Sequence, residues 1–357
     1  MRKKTLIVGA GIAGLSIALR LEEENISYKI IDKGENHSSK IAAGIINPIV
    51  FRRMALSWRI HDFLPEAIAF YQKLEQFFDE TFLHKIPIRR GFAHEQEKDL
   101  WINKQTNEEY TDFLKPLDNN DLHYSKLNNI CGTGLVSTAF WISTKELIEK
   151  IQSKLIQENK LIQENFSYED FDVKQLRYKN ENYEKIIFCE GYQGIYNPYF
   201  SYLPLQATKG ELLTVKSSEI PENESLNRKC FVLPIGNHTF KVGATYKWNS
   251  PDTKLSQEAK EELCQHLENL LSANYEMINH EAGIRPTVLD RRPLLGEHPK
   301  FKNLYIYNGL GAKGYLITPL LSKEFVNHIF HNTELDKEVD IKRYENKLPP
   351  LREDKGG

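Results

Sequence analysis

A glycine-rich turn between a strand and a helix constrains this chain more than any other feature. The apolar run Thr5–Val8 leads into Gly9, Gly11 and Gly14, which have the GxGxxG spacing, and an amphipathic helix follows. The next strand ends in Asp32, roughly 20 residues further on, as in dinucleotide-binding βαβ units. Gly9 allows the tight turn, Gly11 lets the backbone approach a pyrophosphate, and Gly14 lets the helix pack closely on the strands. The acid is placed to accept hydrogen bonds from ribose hydroxyls, so the segment predicts an adenine-dinucleotide site.

Composition limits the class of protein. The chain has 357 residues, of which 40% are hydrophobic, enough for about two domains with real cores. Its net charge of −2 disfavours nucleic acid as a partner, although a local basic patch is compatible with this balance. The four cysteines have neither CxxC nor metal-ligand spacing, so we expect reduced thiols, as in the cytoplasm, and no metal site.

The charged and apolar N-terminus resembles a signal peptide, but the strand–turn–helix interpretation accounts for the same residues. No later apolar run reaches transmembrane length. We therefore expect a cytoplasmic protein without a membrane span. The sequence gives no indication of the oligomeric state.

Periodicity and turn residues predict further elements. A helix is predicted over 64–78, and Ser143 with Glu146 has the spacing of a capping box that opens another. Thr318 is a candidate N-cap, and Pro319 a candidate first residue, of a helix over 320–330. Apolar or alternating patterns predict strands at 185–189, 210–216, 230–235, 239–246 and 303–308.

Together these elements predict an α/β protein in which a Rossmann-type nucleotide-binding domain carries an inserted α+β substrate domain with an antiparallel sheet. The nucleotide-binding domain is expected to be discontinuous, with segments 1–83, 141–205 and 285–345. The substrate domain is expected to comprise 84–140 and 206–284, and 346–357 to form a peripheral tail.

Several separated segments together resemble the D-amino-acid-oxidase-like FAD-dependent amine oxidoreductases. This family includes glycine oxidase, sarcosine oxidase and the FAD domain of a bifunctional tRNA wobble-uridine modification enzyme. The resemblance covers most of the chain and rests on Gly9–Gly14 with Asp32, Ser38–Pro48, Phe188–Gly191, Lys209–Glu211, Lys241–Tyr246, Gly283–Gly296 and Asn308–Leu321.

The resemblance implies FAD as the cofactor. It places the loop 42–48 beside the flavin ring, and the N-terminus of the helix after Gly314 at the flavin pyrimidine, where Lys313 would add charge. The residues that we expect to contact FAD are Gly9, Ala10, Gly11, Ile12, Ala13, Gly14, Asp32, Lys33, Ser39, Lys40, Ala42, Ala43, Gly44, Gly191, Gly309, Gly311, Ala312, Lys313 and Gly314.

The same resemblance suggests catalytic residues. Arg285 matches the place where glycine oxidase holds the substrate carboxylate, and a planar guanidinium suits that anion. A salt bridge at a strand end is the alternative for Arg285. Lys241 matches a lysine that assists oxygen reduction in sarcosine oxidase, or else lies on the solvated face of a strand. Tyr246 would donate a hydrogen bond from its hydroxyl to the substrate. Arg52 or Arg53 could share the role of Arg285.

The family implies an oxidoreductase acting on CH–NH or CH–NH2 groups. We expect it to oxidise the C–N bond of a small amine or amino acid by hydride transfer to flavin N5, followed by imine hydrolysis. The alternative is the same chemistry on the carboxymethylaminomethyl group of a modified tRNA wobble uridine. A flavin-binding protein without turnover, and an enzyme that uses NAD(P) alone, are weaker alternatives.

Overall fold

A computed structural model describes residues 4–35, 38–115, 126–128 and 131–347 of the chain. The predicted tail therefore lies outside the described residues, apart from 346 and 347. The α-helices of the described part are α1 (Ile12–Glu23), α2 (Ser38–Ile41), α3 (Ile60–Phe78), α4 (Glu95–Gln105), α5 (Thr144–Gln157), α6 (Gln257–Leu270) and α7 (Gly314–His331).

The strands are short except for two that exceed ten residues. In chain order they are β1 (Thr5–Val8), β2 (Tyr28–Ile31), β3 (Ile45–Ile46), β4 (Ile49–Val50), β5 (Ala55–Leu56), β6 (Leu83–Lys85), β7 (Ile88–Gly91), β8 (Thr133–Val136), β9 (Phe140–Ile142), β10 (Leu161–Ile162), β11 (Phe171–Asp172), β12 (Arg177–Tyr178), β13 (Glu181–Asn182), β14 (Lys185–Phe188), β15 (Leu205–Lys216), β16 (Ser225–Asn227), β17 (Phe231–Gly236), β18 (Thr239–Gly243), β19 (Lys247–Trp248), β20 (Glu276–Val288), β21 (Leu294–Glu297) and β22 (Leu304–Asn308).

The first sheet has the order β10-β2-β1-β14-β22-β21, and all its pairs are parallel except β21 with β22. Its central strands are buried on both faces, as parallel strands covered by other layers must be. Ile7 and Ile187 belong to the core that the helices α1, α3, α5 and α7 complete. Leu6 and Phe188 face a second core, which the small β11–β13 sheet covers. This arrangement confirms the predicted Rossmann-type α/β fold.

The second sheet has eight strands in the order β19-β15-β18-β17-β16-β7-β8, with β20 paired along β15. Helix α6 packs its leucines against one face of this sheet. The sheet is largely antiparallel, with β16 and β7 forming a parallel pair. Strand β20 runs without a break through residue 285, where the sequence analysis placed a domain boundary. The division into segments stays a prediction.

One predicted helix cap and one predicted helix start are wrong, although α5 begins where predicted, with Ser143 at its N-cap position. The Ser143 side chain does not cap α5, because its Oγ lies 2.8 Å from His84 Nε2 instead. Helix α7 begins at Gly314, so Thr318 and Pro319 lie inside it rather than at its start. Proline is tolerated there because the carbonyl that its missing N–H leaves free, that of Tyr315, accepts a hydrogen bond from the Tyr71 hydroxyl at 2.7 Å. The predicted helix over 64–78 begins earlier, at Ile60.

Two features are absent from the described residues. None of their helices is both long and apolar enough to cross a membrane. The same part of the chain contains no group of three or more His, Cys, Asp or Glu side chains that could hold a metal ion.

Candidate active site

The turn after β1 is closed to any residue but glycine at two positions. Gly9 has φ +107°, and a Cβ there would overlap the carbonyl of Cys189, the residue that follows the neighbouring strand β14. A Cβ on Gly14 would overlap the carbonyl of Gly9 itself. The helix α1 is therefore held against the strands by backbone contact, as the glycine spacing predicts.

The N-terminus of α1 leaves backbone donors available. Gly11 occupies the N-cap and provides no side-chain hydrogen bond. The N–H of Ile12 donates to Ser39 Oγ at 3.0 Å, and Ala13, in the same turn, lines the cavity described below. The first N–H groups of a helix lack partners within it and carry partial positive charge, so this end of the cavity suits a phosphate.

Asp32 braces the same turn. Its carboxylate accepts hydrogen bonds from the N–H groups of Ala10 and Gly34, both at 2.6 Å. Lys33 next to it extends outwards and pairs with Glu35 at 2.7 Å. Each carboxylate oxygen can accept more than one hydrogen bond, so this bracing is compatible with a ribose as a further donor.

A cavity of about 320 Å³ runs from the N-terminus of α1 to the second sheet. Its size is at the lower end of the range of small-molecule sites. Eleven of the predicted cofactor residues line it, namely Gly11, Ile12, Ala13, Ser39, Ala42, Ala43, Gly44, Gly191, Gly311, Ala312 and Gly314. The eight that do not are Gly9, Ala10, Gly14, Asp32, Lys33, Lys40, Gly309 and Lys313. That these residues bind FAD stays a prediction.

The loop Ala42–Gly44 forms one wall of the cavity. Gly44 has φ +72°, and a Cβ there would overlap the carbonyl of Ile142, so the loop is packed tightly onto β9. The Thr144 hydroxyl oxygen lies 3.0 Å from the Lys40 carbonyl oxygen and 2.8 Å from that of Ala42, so its hydrogen can be donated to either carbonyl. The Lys40 ammonium points to Glu149, at 3.4 Å, which accounts for its absence from the cavity lining.

A second wall comes from the segment between β22 and α7. Gly309 and Gly311 have φ of +74° and +59°. Lys313 ends this segment, and its ammonium contacts the Ser57 hydroxyl and the Asn47 carbonyl, the latter at 3.3 Å. Burial lowers the pKa of Lys313 to about 8. Asn308 closes the wall by donating to the Gly191 carbonyl at 2.9 Å.

Arg285 is the predicted catalytic residue that lines the cavity. Its guanidinium lies 4.7 Å from the centre of the Tyr246 ring and donates to the Thr245 carbonyl at 3.3 Å. Within the described residues it makes no ion pair, which argues against the strand-end salt bridge. Burial lowers its pKa. A Cβ on Gly210, in the adjacent strand, would overlap the guanidinium, so the glycine provides the space that the arginine occupies.

Lys241 and Tyr246 are near the cavity but are not part of its lining. The Lys241 ammonium donates to the Ile41 carbonyl at 3.3 Å, and burial lowers its pKa. Tyr246 is 49% exposed and contacts Trp248, with ring centres 5.5 Å apart. Arg52 and Arg53 lie on an exposed turn and do not line the cavity.

The sequence did not predict most of the cavity lining that comes from the second sheet. Five residues of this sheet line the cavity without having been singled out, namely Ile88, Leu212, Ser225, Asn227 and Phe231. The alternation of apolar and polar residues along their strands gives the face on which each lies. It does not give the pairing of distant strands that brings the five together.

The comparison with protein families decides the class. The profile of the FAD-dependent oxidoreductase family DAO matches residues 4–327. The chain belongs to this family. The resemblance in the sequence is thus confirmed, and with it FAD as the cofactor of the family.

Relatives of this DAO-family chain include tRNA-modification proteins and glycine oxidases. The bifunctional protein MnmC of tRNA 5-methylaminomethyl-2-thiouridine biosynthesis from Legionella pneumophila is 24% identical over 330 residues, 85% of this chain and 47% of its own length. The chain thus spans about half the length of these bifunctional relatives. Glycine oxidase of Bacillus subtilis is 26% identical over 141 residues, 39% of this chain and 37% of its own.

Solved structures share the fold. Glycine oxidase from Geobacillus kaustophilus superposes with a TM-score of 0.79 at 19% identity, covering 96% of this chain and 98% of its own. Iminodiacetate oxidase from Chelativorans sp. BNC1 gives a TM-score of 0.77 at 17% identity, covering 95% and 98%. Both confirm the predicted architecture.

Proposed function

We propose that this protein is an FAD-dependent enzyme that oxidises the C–N bond of an amine carrying a carboxylate group. The observation that supports the proposal most is the Arg285 guanidinium, which borders the cavity and makes no ion pair within the described residues. A buried cation with donors left over favours an anion, and a carboxylate matches the guanidinium in shape. The relatives named glycine oxidase and iminodiacetate oxidase point to the same class of substrate.

The residues present fit FAD. The open N–H groups of α1 suit its pyrophosphate and Asp32 suits its ribose. The backbone without side chains at Gly44 and Gly311, which both line the cavity, suits a flat ring system. When bound, the cofactor would accept the two electrons of the oxidation.

The side chains of the second sheet would then position the substrate. Arg285 fixes the carboxylate and thereby the carbon next to it, which is the atom to be oxidised. Ile88, Leu212 and Phe231 line the cavity with apolar surface and keep water away from that carbon. The carbon loses a hydride and the nitrogen a proton, and the resulting imine takes up water to give a carbonyl compound and an amine. Lys241 and Tyr246 are proposed to assist from the edge of this site.

An anaerobic titration tests the proposal. The flavin-containing protein is mixed with glycine, N-methylglycine, D-amino acids and secondary amines that lack a carboxylate, and flavin absorbance is followed. We expect bleaching by one or more carboxylate-bearing amines, and loss of that bleaching in Arg285→Met. The matched control is Arg291→Met, because Arg291 is exposed and does not line the cavity. Bleaching only by amines without a carboxylate, or by none of the panel, contradicts the proposal.

A second candidate is the carboxymethylaminomethyl group of a modified tRNA base. The tRNA-modifying relatives match 85% of this chain, and the exposed pair Tyr246 and Trp248 stands beside Arg285. Exposed aromatic rings stack unpaired bases in RNA-binding proteins. Binding of bulk bacterial tRNA at several salt concentrations tests this candidate. A dissociation constant in the micromolar range that weakens at least tenfold in Trp248→Ala supports it, and the absence of binding at low salt contradicts it.

A further inference from the structure

A second polar group borders the cavity at a distance from Arg285. Asn227 lies on β16, where it pairs with Arg90 of β7 on one side and with Phe231 of β17 on the other. Asn227, Phe231 and their neighbour Ile88 all line the cavity. The end of the cavity wall that these residues form is otherwise largely apolar. In ligand sites, the few polar groups within an apolar lining commonly fix the orientation of the ligand.

The orientation of the Asn227 amide is fixed by Arg90. The Arg90 guanidinium donates to Asn227 Oδ1 at 2.7 Å. It is itself held by Glu97, at 2.7 Å, and lies 5.1 Å from the Phe51 ring centre. A guanidinium can only donate, so the amide atom that faces it must be the oxygen. The –NH2 group of Asn227 therefore faces away from Arg90, and within the described part of the chain it has no acceptor.

Other polar side chains on this wall and beside it are occupied. The Ser225 hydroxyl donates to the Val232 carbonyl at 3.1 Å, and the Ser38 hydroxyl to the Ile284 carbonyl at 2.8 Å. On the sheet wall, among the described residues, Arg285 and Asn227 are the two side chains that retain donors. Four strand spacings separate β20 from β16, on the order of 15–20 Å along the sheet.

We propose that Asn227 is a second substrate-recognition group, which donates a hydrogen bond to an acceptor oxygen at the far end of the substrate. The preferred ligand is then an extended one, with a carboxylate on Arg285 and a carbonyl, amide or similar oxygen on Asn227. A small amino acid such as glycine is too short to reach both groups. This inference rests on the proposed function only through the carboxylate site at Arg285.

Binding of unreactive analogues tests the inference independently of turnover. Ethers of the type acetamidoalkoxyacetate keep the carboxylate and a carbonyl but replace the oxidisable nitrogen with oxygen. Their linkers are varied from two to eight methylenes, and each is compared with an alkoxyacetate of equal length without the carbonyl. Dissociation constants are measured by calorimetry on the FAD-containing protein. A failure of the oxidation proposal therefore leaves these measurements intact.

At one linker length we expect the acetamido compound to bind about tenfold more tightly than its alkyl match. Asn227→Asp should abolish this preference, because it keeps an acceptor for Arg90 but removes the donor. The matched control is Asn182→Asp, an exposed asparagine on β13. Equal affinities of the paired compounds at every length, or a preference that survives in Asn227→Asp, overturns the inference. The comparison of wild-type affinities stands even where the variant does not fold.

Discussion

In the turn from Gly9 to Gly14 the binding groups belong to the backbone, whereas on the facing sheet they are the side chains of Arg285 and Asn227. The turn lies within a few consecutive residues, and its glycines leave no space for a Cβ at Gly9 or Gly14. The sheet brings together strands from 88–91, 225–236 and 276–288, and leaves side-chain donors without acceptors in the described residues. One region is specified locally and the other by long-range strand pairing.

Replacing Gly9 should produce the largest effect. Gly9→Ala adds a Cβ that overlaps the Cys189 carbonyl and forces alanine into φ +107°. The left-handed backbone alone costs about 1–2 kcal/mol, and the overlap adds to it. We expect loss of FAD during purification and a fall of several kcal/mol in the free energy of unfolding, measured in urea.

Gly34→Ala is the matched control for that variant. Gly34 also has positive φ, +79°, but nothing lies within 4 Å of its Cβ position. We expect a cost of about 1 kcal/mol with FAD retained. A Gly9→Ala protein that keeps its full flavin content would show that the turn is less constrained than its packing indicates.

The nucleotide-binding sheet should also be the source of a pH-dependent loss of stability. His298, just after β21, is buried, and its Nδ1 accepts the N–H groups of Lys300 and Phe301 at 3.0 and 3.1 Å. Burial lowers its pKa to about 4, from an ordinary value of 6.5. The unfolded chain therefore binds this proton more readily, and stability falls as pH drops from about 6.5 to 4.

The expected size of this effect is up to about 3 kcal/mol. Urea unfolding of the wild type and of His298→Asn over this pH range measures it. The Asn oxygen can accept the same N–H groups but does not titrate. An identical pH dependence in both proteins would assign the acid sensitivity to other groups.

On the second sheet, Gly210→Ala should displace Arg285 without straining the backbone. The three nearest neighbours of the added Cβ are all atoms of the guanidinium. We expect carboxylate ligands to bind roughly 10- to 100-fold more weakly, with the stability nearly unchanged. In an Arg285→Ala background the same substitution should have little further effect, and this double-mutant cycle isolates the contact. Additive losses in the cycle would mean that Gly210 acts on binding by another route.

Lys241 should give the smallest effect of this series. Its ammonium donates to the carbonyl of Ile41, the residue before the loop Ala42–Gly44. Lys241 itself does not line the cavity. We expect Lys241→Met to slow the reaction of the reduced enzyme with oxygen by roughly tenfold or less, and to affect substrate binding less than that. Stopped-flow measurements separate the two steps. A larger effect on substrate binding than on the oxygen reaction would place Lys241 in the substrate site.

The same contrast explains what the sequence could predict. Gly14 packs on the carbonyl of Gly9, and Asp32 accepts the N–H of Ala10, so these contacts lie close together along the chain and a short motif describes them well. Arg285 was found through its resemblance to a family motif, but the space that Gly210 provides for it depends on the register of β15 and β20. The role of Asn227 could not be predicted, because the sequence does not show that β16 pairs with β7 and thereby places Arg90 next to the Asn227 amide. The start of α7 was misplaced because the hydroxyl of Tyr71, from a distant helix, stabilises a proline inside it.

The central claim is that an arginine on the second sheet holds the carboxylate of an amine that is oxidised next to the nucleotide-binding turn. The most direct test compares the most reactive amino-acid substrate with the amine obtained by removing its carboxylate. Anaerobic rates of flavin reduction are measured for both compounds in the wild type and in Arg285→Met. We predict a preference for the carboxylate of about 100-fold in the wild type, falling to within a few-fold in the variant. A preference that persists in Arg285→Met, or a wild type that reduces with both compounds equally, would contradict the account.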